Sequence, residues 1–274
     1  MNRKMNSISV YFIFVLFASS CWSANAQQKE FIVKDYTGPI TTGVIESLKN
    51  AETLEIINST ITEYPTRIFS RLPKIKKIVV LKSTFNIMDP NIYDDSNHLE
   101  SILFAKNNVP SLPLTLLRKT TFEKIIISDQ SQVKIIPENF ANETKRLKIF
   151  ECSRCNIESV EQGAFNNLGD LEVLNLMENS INHLPSEIFR PVVNLRELNL
   201  SGNHIEKFTA DQLRKNNLVE VIDLSNNPLK DLHLLEVTKV APKLKKLDVR
   251  GTKLSKNHLK EHIDKLHNVE ILSD

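Results

Sequence analysis

Two stretches of sequence decide the fold: LEVLNLMENSI at residues 171–181 and LRELNLSGNHI at residues 195–205. The second repeats the first after 24 residues, with apolar residues at positions 1, 4, 6 and 11 and asparagine at position 9. Positions 3 to 7 alternate as in a β-strand, so that positions 4 and 6 face a core while positions 3, 5 and 7 face the other way. Because one such unit cannot bury its apolar side alone, the pattern predicts a stack of repeats with a parallel sheet.

The same pattern extends in both directions along the chain. The residues predicted at position 1 of successive repeats are Ala51, Ile75, Leu99, Phe122, Leu147, Leu171, Leu195, Val219, Leu244 and Leu266. The asparagine at position 9 lies where the strand turns, and its amide can satisfy backbone groups of its own and the neighbouring repeat. An apolar residue at position 19, often phenylalanine, is expected to fill the convex side of the core.

The pattern L-x-x-L-x-L-x-x-N-x-L resembles the leucine-rich repeat, in the 24-residue type common in extracellular animal proteins. This resemblance implies an α/β solenoid shaped like a horseshoe, with a parallel β-sheet on the concave face and short helical or irregular segments on the convex side. The chain is also similar to insect leucine-rich immune and body-fluid proteins. It departs from many secreted members of the family because no cysteine-rich cap flanks its repeats.

The first 26 residues predict a secretory signal. Arg3 and Lys4 precede an apolar run over residues 8–18, and a small-residue cleavage site ends at Ala26. The run is shorter than the roughly 20 apolar residues that span a membrane, so we expect cleavage and secretion. The expected domains are therefore a signal peptide at 1–26, an N-terminal partial or capping unit at 27–50 and a solenoid of about ten repeats at 51–274.

The charge balance argues against a general electrostatic partner. The chain has 35 basic and 33 acidic residues, and loss of Arg3 and Lys4 with the signal would leave 33 of each, a formal charge of zero. Nucleic acid and anionic membrane surfaces are therefore not expected partners.

Two motifs are also found in enzymes, and both fit a structural role better. Cys152-Ser153-Arg154-Cys155 matches a redox motif, but Cys152 and Cys155 occupy inward positions 6 and 9 of a repeat, which favours buried thiols or a local disulfide. The segment from His258 to His262 matches the zinc-peptidase signature H-x-x-E-H, but it lies in one short convex segment without a second ligand-bearing helix. We therefore expect no enzymatic activity, cofactor or metal.

Three N-glycosylation sequons begin at Asn58, Asn142 and Asn199. Each would be available for a glycan in a secreted chain, although such short motifs are often unused. Asn199 occupies position 5 of its repeat, so a glycan there would sit on the concave face and obstruct its C-terminal half.

The concave face, formed by positions 3, 5 and 7, is the expected binding surface. Its N-terminal half carries an apolar patch at positions 5 and 7, which consists of Ile57, Val79, Leu81, Leu103 and Ile126. Lys77 and Lys124 at position 3 could supply charge at the rim, and the C-terminal half is acidic and polar. Exposed contiguous apolar surface usually marks an interaction site. The alternatives are that another segment covers the patch, or that β-propensity alone selects these residues.

The sequence thus predicts a secreted, non-enzymatic module that binds a protein or a surface-bound ligand through its concave face. The resemblance implies recognition in innate immunity, and a structural protein of the extracellular matrix or of cell adhesion is the alternative. The last strand, near residues 269–271, would present an open edge. The chain could pair there into a homodimer, or residues 256–265 could shield that edge.

Overall fold

A computed structural model of the chain describes residues 29–86, 89, 91–109, 114–117, 120–255, 266 and 268–274. The strands in these residues are β1 (Glu30–Lys34), β2 (Thr37–Gly38), β3 (Thr53–Ile57), β4 (Thr60–Ile61), β5 (Lys77–Leu81), β6 (Thr84–Phe85), β7 (Ser101–Ala105), β8 (Lys124–Ser128), β9 (Ile135–Ile136), β10 (Ile149–Ser153), β11 (Ser159–Val160), β12 (Val173–Asn175), β13 (Glu197–Asn199), β14 (Val221–Asp223), β15 (Lys246–Asp248) and β16 (Glu270–Leu272).

Helix contributes little to the described part of the chain. Its α-helices are α1 (Thr42–Leu48) and α2 (Leu234–Val240), and short 3-10 turns cover Ile68–Arg71, Leu114–Leu117 and Ala210–Leu213. Neither α-helix has the length and apolar character that crossing a bilayer requires, and the same holds for every helix in the described residues.

Eleven strands form one parallel sheet, in the spatial order β1, β3, β5, β7, β8, β10, β12, β13, β14, β15 and β16. Because spatial order follows chain order, the chain winds as a solenoid that adds one strand to this sheet with each turn. Two smaller sheets, β2-β4-β6 and β9-β11, pair the chain segments that follow the main strands. The predicted parallel-sheet solenoid is therefore confirmed. The edges of the main sheet in the described residues are β1 and β16, and dimerisation through β16 stays a prediction.

In the main sheet the strand register follows the predicted positions from β3 to β15, and each of these main-sheet strands begins at position 3 of its repeat. The last repeat is an exception. Leu247 at position 4 pairs with Ile271, so position 1 falls on Asn268, and the predicted repeat start at Leu266 is wrong. Leu266 instead lies in the turn before the strand, where it packs against the core and its carbonyl accepts a hydrogen bond from the Val269 N–H at 3.3 Å.

Inward positions of the strands form the core together with residues of the convex side. Four leucines at positions 4 and 6 are at most 1% exposed, as the periodicity predicts: Leu174, Leu176, Leu198 and Leu200. On the convex side the position-19 rings stack along the solenoid, with centroid distances of 5.5 Å between Phe69 and Tyr93 and 5.8 Å between Phe165 and Phe189. Such ring pairs add roughly 0.5–1.5 kcal/mol beyond burial, so they support the stacking of neighbouring repeats.

Position-9 asparagines connect neighbouring repeats by hydrogen bonds. The Asn203 amide donates to the carbonyls of Leu176 (2.9 Å) in the previous repeat and Leu200 (3.0 Å) in its own. Its Oδ1 accepts the N–H of Ile181 at 3.1 Å. Corresponding bonds recur at Asn179 and Asn227. These bonds satisfy buried backbone groups across the stack, so the predicted role of position 9 is confirmed in these repeats.

Candidate binding face

In-register pairing lines up equivalent positions across the main sheet. The position-5 row, from β1 to β15, consists of Ile32, Glu55, Val79, Leu103, Ile126, Glu151, Asn175, Asn199, Asp223 and Asp248. Neighbouring strands lie about 4.8 Å apart, so consecutive side chains in this row are in contact. The concave face therefore changes along the solenoid, from apolar in β5, β7 and β8 to polar or acidic from β10 onwards.

The register brings the predicted apolar patch together. Leu103 pairs with Val79 on one side and Ile126 on the other, and Ile57 pairs with Leu81 in the position-7 row. Four of these side chains are partly exposed, whereas Val79 is only 6% exposed. Val79 therefore packs beneath the patch, and the other four side chains form the surface that a ligand can reach.

The two predicted rim lysines lie at the start of their strands. Lys77 begins β5 and Lys124 begins β8, and both are exposed. They occupy one row of the sheet, because each pairs with Ser101 of the intervening strand β7. The side of the apolar patch where the strands begin is therefore bordered by cationic groups.

The turn after each strand holds a feature that hydrophobic periodicity does not reveal. The backbone at position 8 has a positive φ, between 49° and 67°, at Asn58, Lys82, Lys106, Asp129, Arg154, Glu178, Gly202, Asn226 and Gly251. Glycine adopts this left-handed conformation without steric cost, and asparagine adopts it more readily than other residues. The recurrence of glycine and asparagine at this position was the available signal in the sequence.

The polar half of the concave face is hydrogen-bonded within itself. In four consecutive repeats the side-chain oxygen at position 5 accepts the backbone N–H of position 7. These bonds run from Met177 to Asn175 (3.1 Å), from Ser201 to Asn199 (3.0 Å), from Ser225 to Asp223 (2.9 Å) and from Arg250 to Asp248 (3.1 Å). Such side-chain bonds compete with the sheet ladder, which explains why β12 to β15 have three residues while β3, β5, β7, β8 and β10 have five.

Arginine side chains neutralise carboxylates in the polar half and in the turn after β8. The Arg250 guanidinium binds Asp248 through two nitrogens, and hydrogen bonding from Arg250 lowers the pKa of that carboxyl below its usual value. Arg154 binds Asp129 at 2.7 Å and lowers the pKa of Asp129 in the same way. These carboxylates stay ionised and already have an internal cation. Because these carboxylates are already paired, a ligand would gain less binding energy from them than from covering the apolar patch.

Cys152 and Cys155 are both fully buried and hold free thiols. The Cys155 thiol donates to the carbonyls of Ser153 (3.2 Å) and Ile127 (3.7 Å), which places it in the role that asparagine has in later repeats. Burial raises the pKa of the Cys152 thiol well above its ordinary value. A raised pKa and complete burial oppose thiolate chemistry, so the geometry fits packing better than redox catalysis.

The three sequon asparagines differ in their surroundings. Asn58 is exposed and donates to Asp35 at 2.6 Å. Asn142 is partly exposed and accepts a hydrogen bond from the Asn167 amide. Asn199 lies in the concave face, where its Oδ1 also accepts a hydrogen bond from the Ser201 hydroxyl at 2.7 Å. Asn58 is therefore the most accessible of the three, and use of the sequons stays a prediction.

The zinc-peptidase signature between His258 and His262 lies outside the described residues. Within residues that are described, no group of three His, Cys, Asp or Glu side chains is arranged to hold a metal ion.

Two family models match the sequence. One describes the BspA type leucine rich repeat region and matches residues 17–148, and the other describes the leucine rich repeat and matches residues 145–205. Together they span the N-terminal and middle repeats. No curated protein sequence matches the chain.

Solved structures with the same fold share little sequence with it. A chain of the octameric complex of Latrophilin 3, Unc5D and FLRT2 is similar with a TM-score of 0.65 and 16% identity, over 84% of this chain and 78% of that one. The Drosophila Toll–Spatzle complex gives 0.64 and 14%, over 85% and 34% of the two chains. An internalin from Listeria monocytogenes gives 0.60 and 16%, over 85% and 70%.

Proposed function

We propose that this chain, which is a leucine-rich repeat protein, is a secreted and non-enzymatic recognition module that binds a protein or surface-bound ligand at the apolar patch. The observation that carries the proposal is the contiguity of Ile57, Leu81, Leu103 and Ile126 on the face of the sheet turned away from the core. Protein interfaces commonly combine an apolar centre with a polar rim, and a few central residues dominate the binding energy.

The contrast between the two halves of the face supports this placement. Position-5 oxygens in the C-terminal half already accept backbone hydrogen bonds, whereas Leu103 and Ile126 have no polar group to satisfy and gain from losing contact with water. Burying the exposed part of the patch would therefore stabilise a complex without breaking internal bonds.

Similar folds occur in protein complexes, including the Toll–Spatzle complex, whose description names innate immunity. On this basis recognition in innate immunity is the biological role that we propose, and the secretory signal predicted at residues 1–26 supports an extracellular location.

The test is a single charge insertion, Leu103→Asp, at the centre of the patch. A partner is first captured with the wild-type protein from extracellular fluid and identified by mass spectrometry, and its affinity for purified variants is then measured by surface plasmon resonance. We expect Leu103→Asp to weaken binding by about tenfold or more, which corresponds to at least about 1.4 kcal/mol at an interface centre.

Val221→Asp is the matched control, because Val221 is also a partly exposed residue on the concave face, in β14 of the polar half. Both variants should retain the circular dichroism spectrum of the wild type. If Leu103→Asp binds the partner as well as wild type while Val221→Asp does not, the ligand docks on the polar half and the proposal is wrong.

A further inference from the structure

We infer that the partner presents an acidic, amphipathic segment to the apolar patch, and that four lysines around the patch receive its carboxylates. The inference rests on the proposed function and adds the chemistry of the partner. The four residues, which we name the lysine frame, are Lys77, Lys82, Lys106 and Lys124. Lys82 and Lys106 were not predicted as site residues from the sequence.

The lysine frame borders the patch on two sides. Lys77 and Lys124 begin β5 and β8, whereas Lys82 and Lys106 follow directly after the ends of β5 and β7. At about 3.3 Å per residue, the two rows of lysines lie roughly 16 Å apart across the sheet. Leu81, Leu103 and Ile126 lie between them, so a bound segment would meet apolar side chains at its centre and cations at both borders.

The frame lysines form no ion pair with a carboxylate of the described residues, unlike the lysines at position 2 of neighbouring repeats. All four are exposed, and among the residues that the structure describes none of their ammonium groups lies within 4.0 Å of a carboxylate. At position 2, charged residues of neighbouring repeats pair along the stack instead, as in Lys76–Glu100 (3.4 Å) and Lys148–Glu123 (3.4 Å). The solenoid therefore neutralises its position-2 cations and leaves those around the patch available.

Backbone strain provides an independent argument for Lys82 and Lys106. Their φ angles are 49° and 56°, in the left-handed region where the later repeats place Gly202, Asn226 and Gly251. A side chain with a Cβ costs roughly 1–2 kcal/mol in this conformation, so lysine is a poor choice for stability. Strain of this kind tends to persist where a side chain has a function.

The other charged residues at position 8 do not need this explanation. Arg154 pairs with Asp129 at 2.7 Å and with Glu178 at 3.8 Å, so these three side chains compensate their strain by contacts within the molecule. Lys82 and Lys106 have no such ion pair among the described residues. Lys106 lies near enough to Asp129 to help lower the pKa of that carboxyl, but Arg154 already binds the Asp129 carboxylate. An external anion is the contact that would compensate them.

Cations on two borders and an apolar centre select a complementary partner. An acidic amphipathic segment would bury apolar side chains on the patch and hold carboxylates at the frame, where complementary charge raises association rates and specificity. A basic segment would meet four like charges at the same place.

The test uses peptides of defined chemistry and the full chain. Three fluorescein-labelled peptides carry the same leucines, separated by glutamate, by serine or by lysine, and their binding is followed by fluorescence anisotropy at pH 7. We expect the glutamate peptide to bind about tenfold or more tightly than the serine peptide at low salt, with the difference shrinking as salt screens the charges. The lysine peptide should bind most weakly.

Variants that remove lysine charges test whether the lysine frame causes the preference for the glutamate peptide. The frame variant is Lys77→Gln, Lys82→Gln, Lys106→Gln and Lys124→Gln combined, and it should lose the preference for glutamate over serine. The matched control removes four lysines of the position-2 pairs and their equivalent at the start of the sheet: Lys29→Gln, Lys76→Gln, Lys148→Gln and Lys245→Gln. Both variants lose four positive charges, so an effect of net charge alone would appear in both.

Three outcomes would overturn the inference. The first is equal binding of the glutamate and serine peptides, or no binding of the glutamate peptide at millimolar concentration. The second is an equal loss of preference in the control variant. The third is frame-dependent binding to phosphatidylserine vesicles without peptide binding, which would assign the lysines to a membrane surface.

If peptide binding needs Leu103 but not acidic residues, the proposed function stands and only this inference fails. A captured partner that is indifferent to Leu103→Asp rejects the proposed function itself.

Discussion

One buried carboxamide can hold three backbone groups of two repeats. Asn203 donates to the carbonyls of Leu176 and Leu200 and accepts the N–H of Ile181, and its side chain is 4% exposed, so water cannot replace these bonds. Its loss would leave buried donors and acceptors unpaired, each of which costs roughly 1–3 kcal/mol.

We therefore expect Asn203→Ala to lower the free energy of unfolding by about 3 kcal/mol. Urea unfolding followed by circular dichroism measures this change. Asn217→Ala is the control, because Asn217 is exposed in a turn, and it should change stability by less than about 0.5 kcal/mol. A loss below about 1 kcal/mol at Asn203 would show that the side chain does not hold the stack.

The buried thiols lead to a second residue-scale prediction. Cys152 and Cys155 are inaccessible, and burial raises the pKa of Cys152, so little reactive thiolate forms near neutral pH. A thiol reagent such as 5,5′-dithiobis(2-nitrobenzoate) should react with them in the native protein only as fast as the protein unfolds, and both should react after denaturation without a reductant. If neither reacts after denaturation, a disulfide joins them.

At the scale of the strand-turn element, stability and binding are opposed at position 8. Asparagine should replace the strained lysines there with a gain in stability, since it tolerates the left-handed conformation better. We expect Lys82→Asn and Lys106→Asn each to raise the free energy of unfolding by up to about 1 kcal/mol. The same variants should weaken binding of the glutamate peptide.

Urea unfolding and anisotropy measure the two effects on the same samples. Lys76→Asn removes an equal charge outside the left-handed turns and is the control, for which no gain in stability is expected. A loss of stability in both position-8 variants would mean that the lysine side chains make stabilising contacts within the molecule.

At the scale of the whole molecule, the sequence predicts what repeats and misses what is specific to turns. Strand positions and buried leucines follow from alternation within each repeat, which is a local property of the chain. The left-handed turns and the position-5 bonds depend on backbone geometry that apolar spacing does not encode. The start of the last repeat was wrongly predicted at Leu266, because residue type alone does not distinguish a leucine in a turn from a leucine at position 1. The apolar patch was predictable because side chains alternate between the two faces of a strand, whereas Lys82 and Lys106 were recognised only from the turn conformation.

The position-9 hydrogen bonds also differ from repeat to repeat. Asn179, Asn203 and Asn227 have carboxamides that bond their own repeat and the preceding one, whereas Ser83 accepts the Ser59 N–H through a hydroxyl at 3.1 Å. Gln130 is 1% exposed, and in the described part of the chain its Oε1 has no hydrogen-bond partner. Because repeats contact only their neighbours, such differences should remain local in stability.

We therefore expect amides of β8, in the Gln130 repeat, and of β7, in the preceding repeat, to exchange with deuterium faster than those of β13 and β14 under native conditions. Gln130→Asn should supply the shorter carboxamide of the later repeats, raise the free energy of unfolding by about 1 kcal/mol and slow exchange mainly in β7 and β8. Hydrogen exchange with mass spectrometry resolves these strands. Uniform exchange across the sheet, with no local response to Gln130→Asn, would mean that the solenoid opens as one unit. The apolar patch would then lie on a surface no less stable than the polar half.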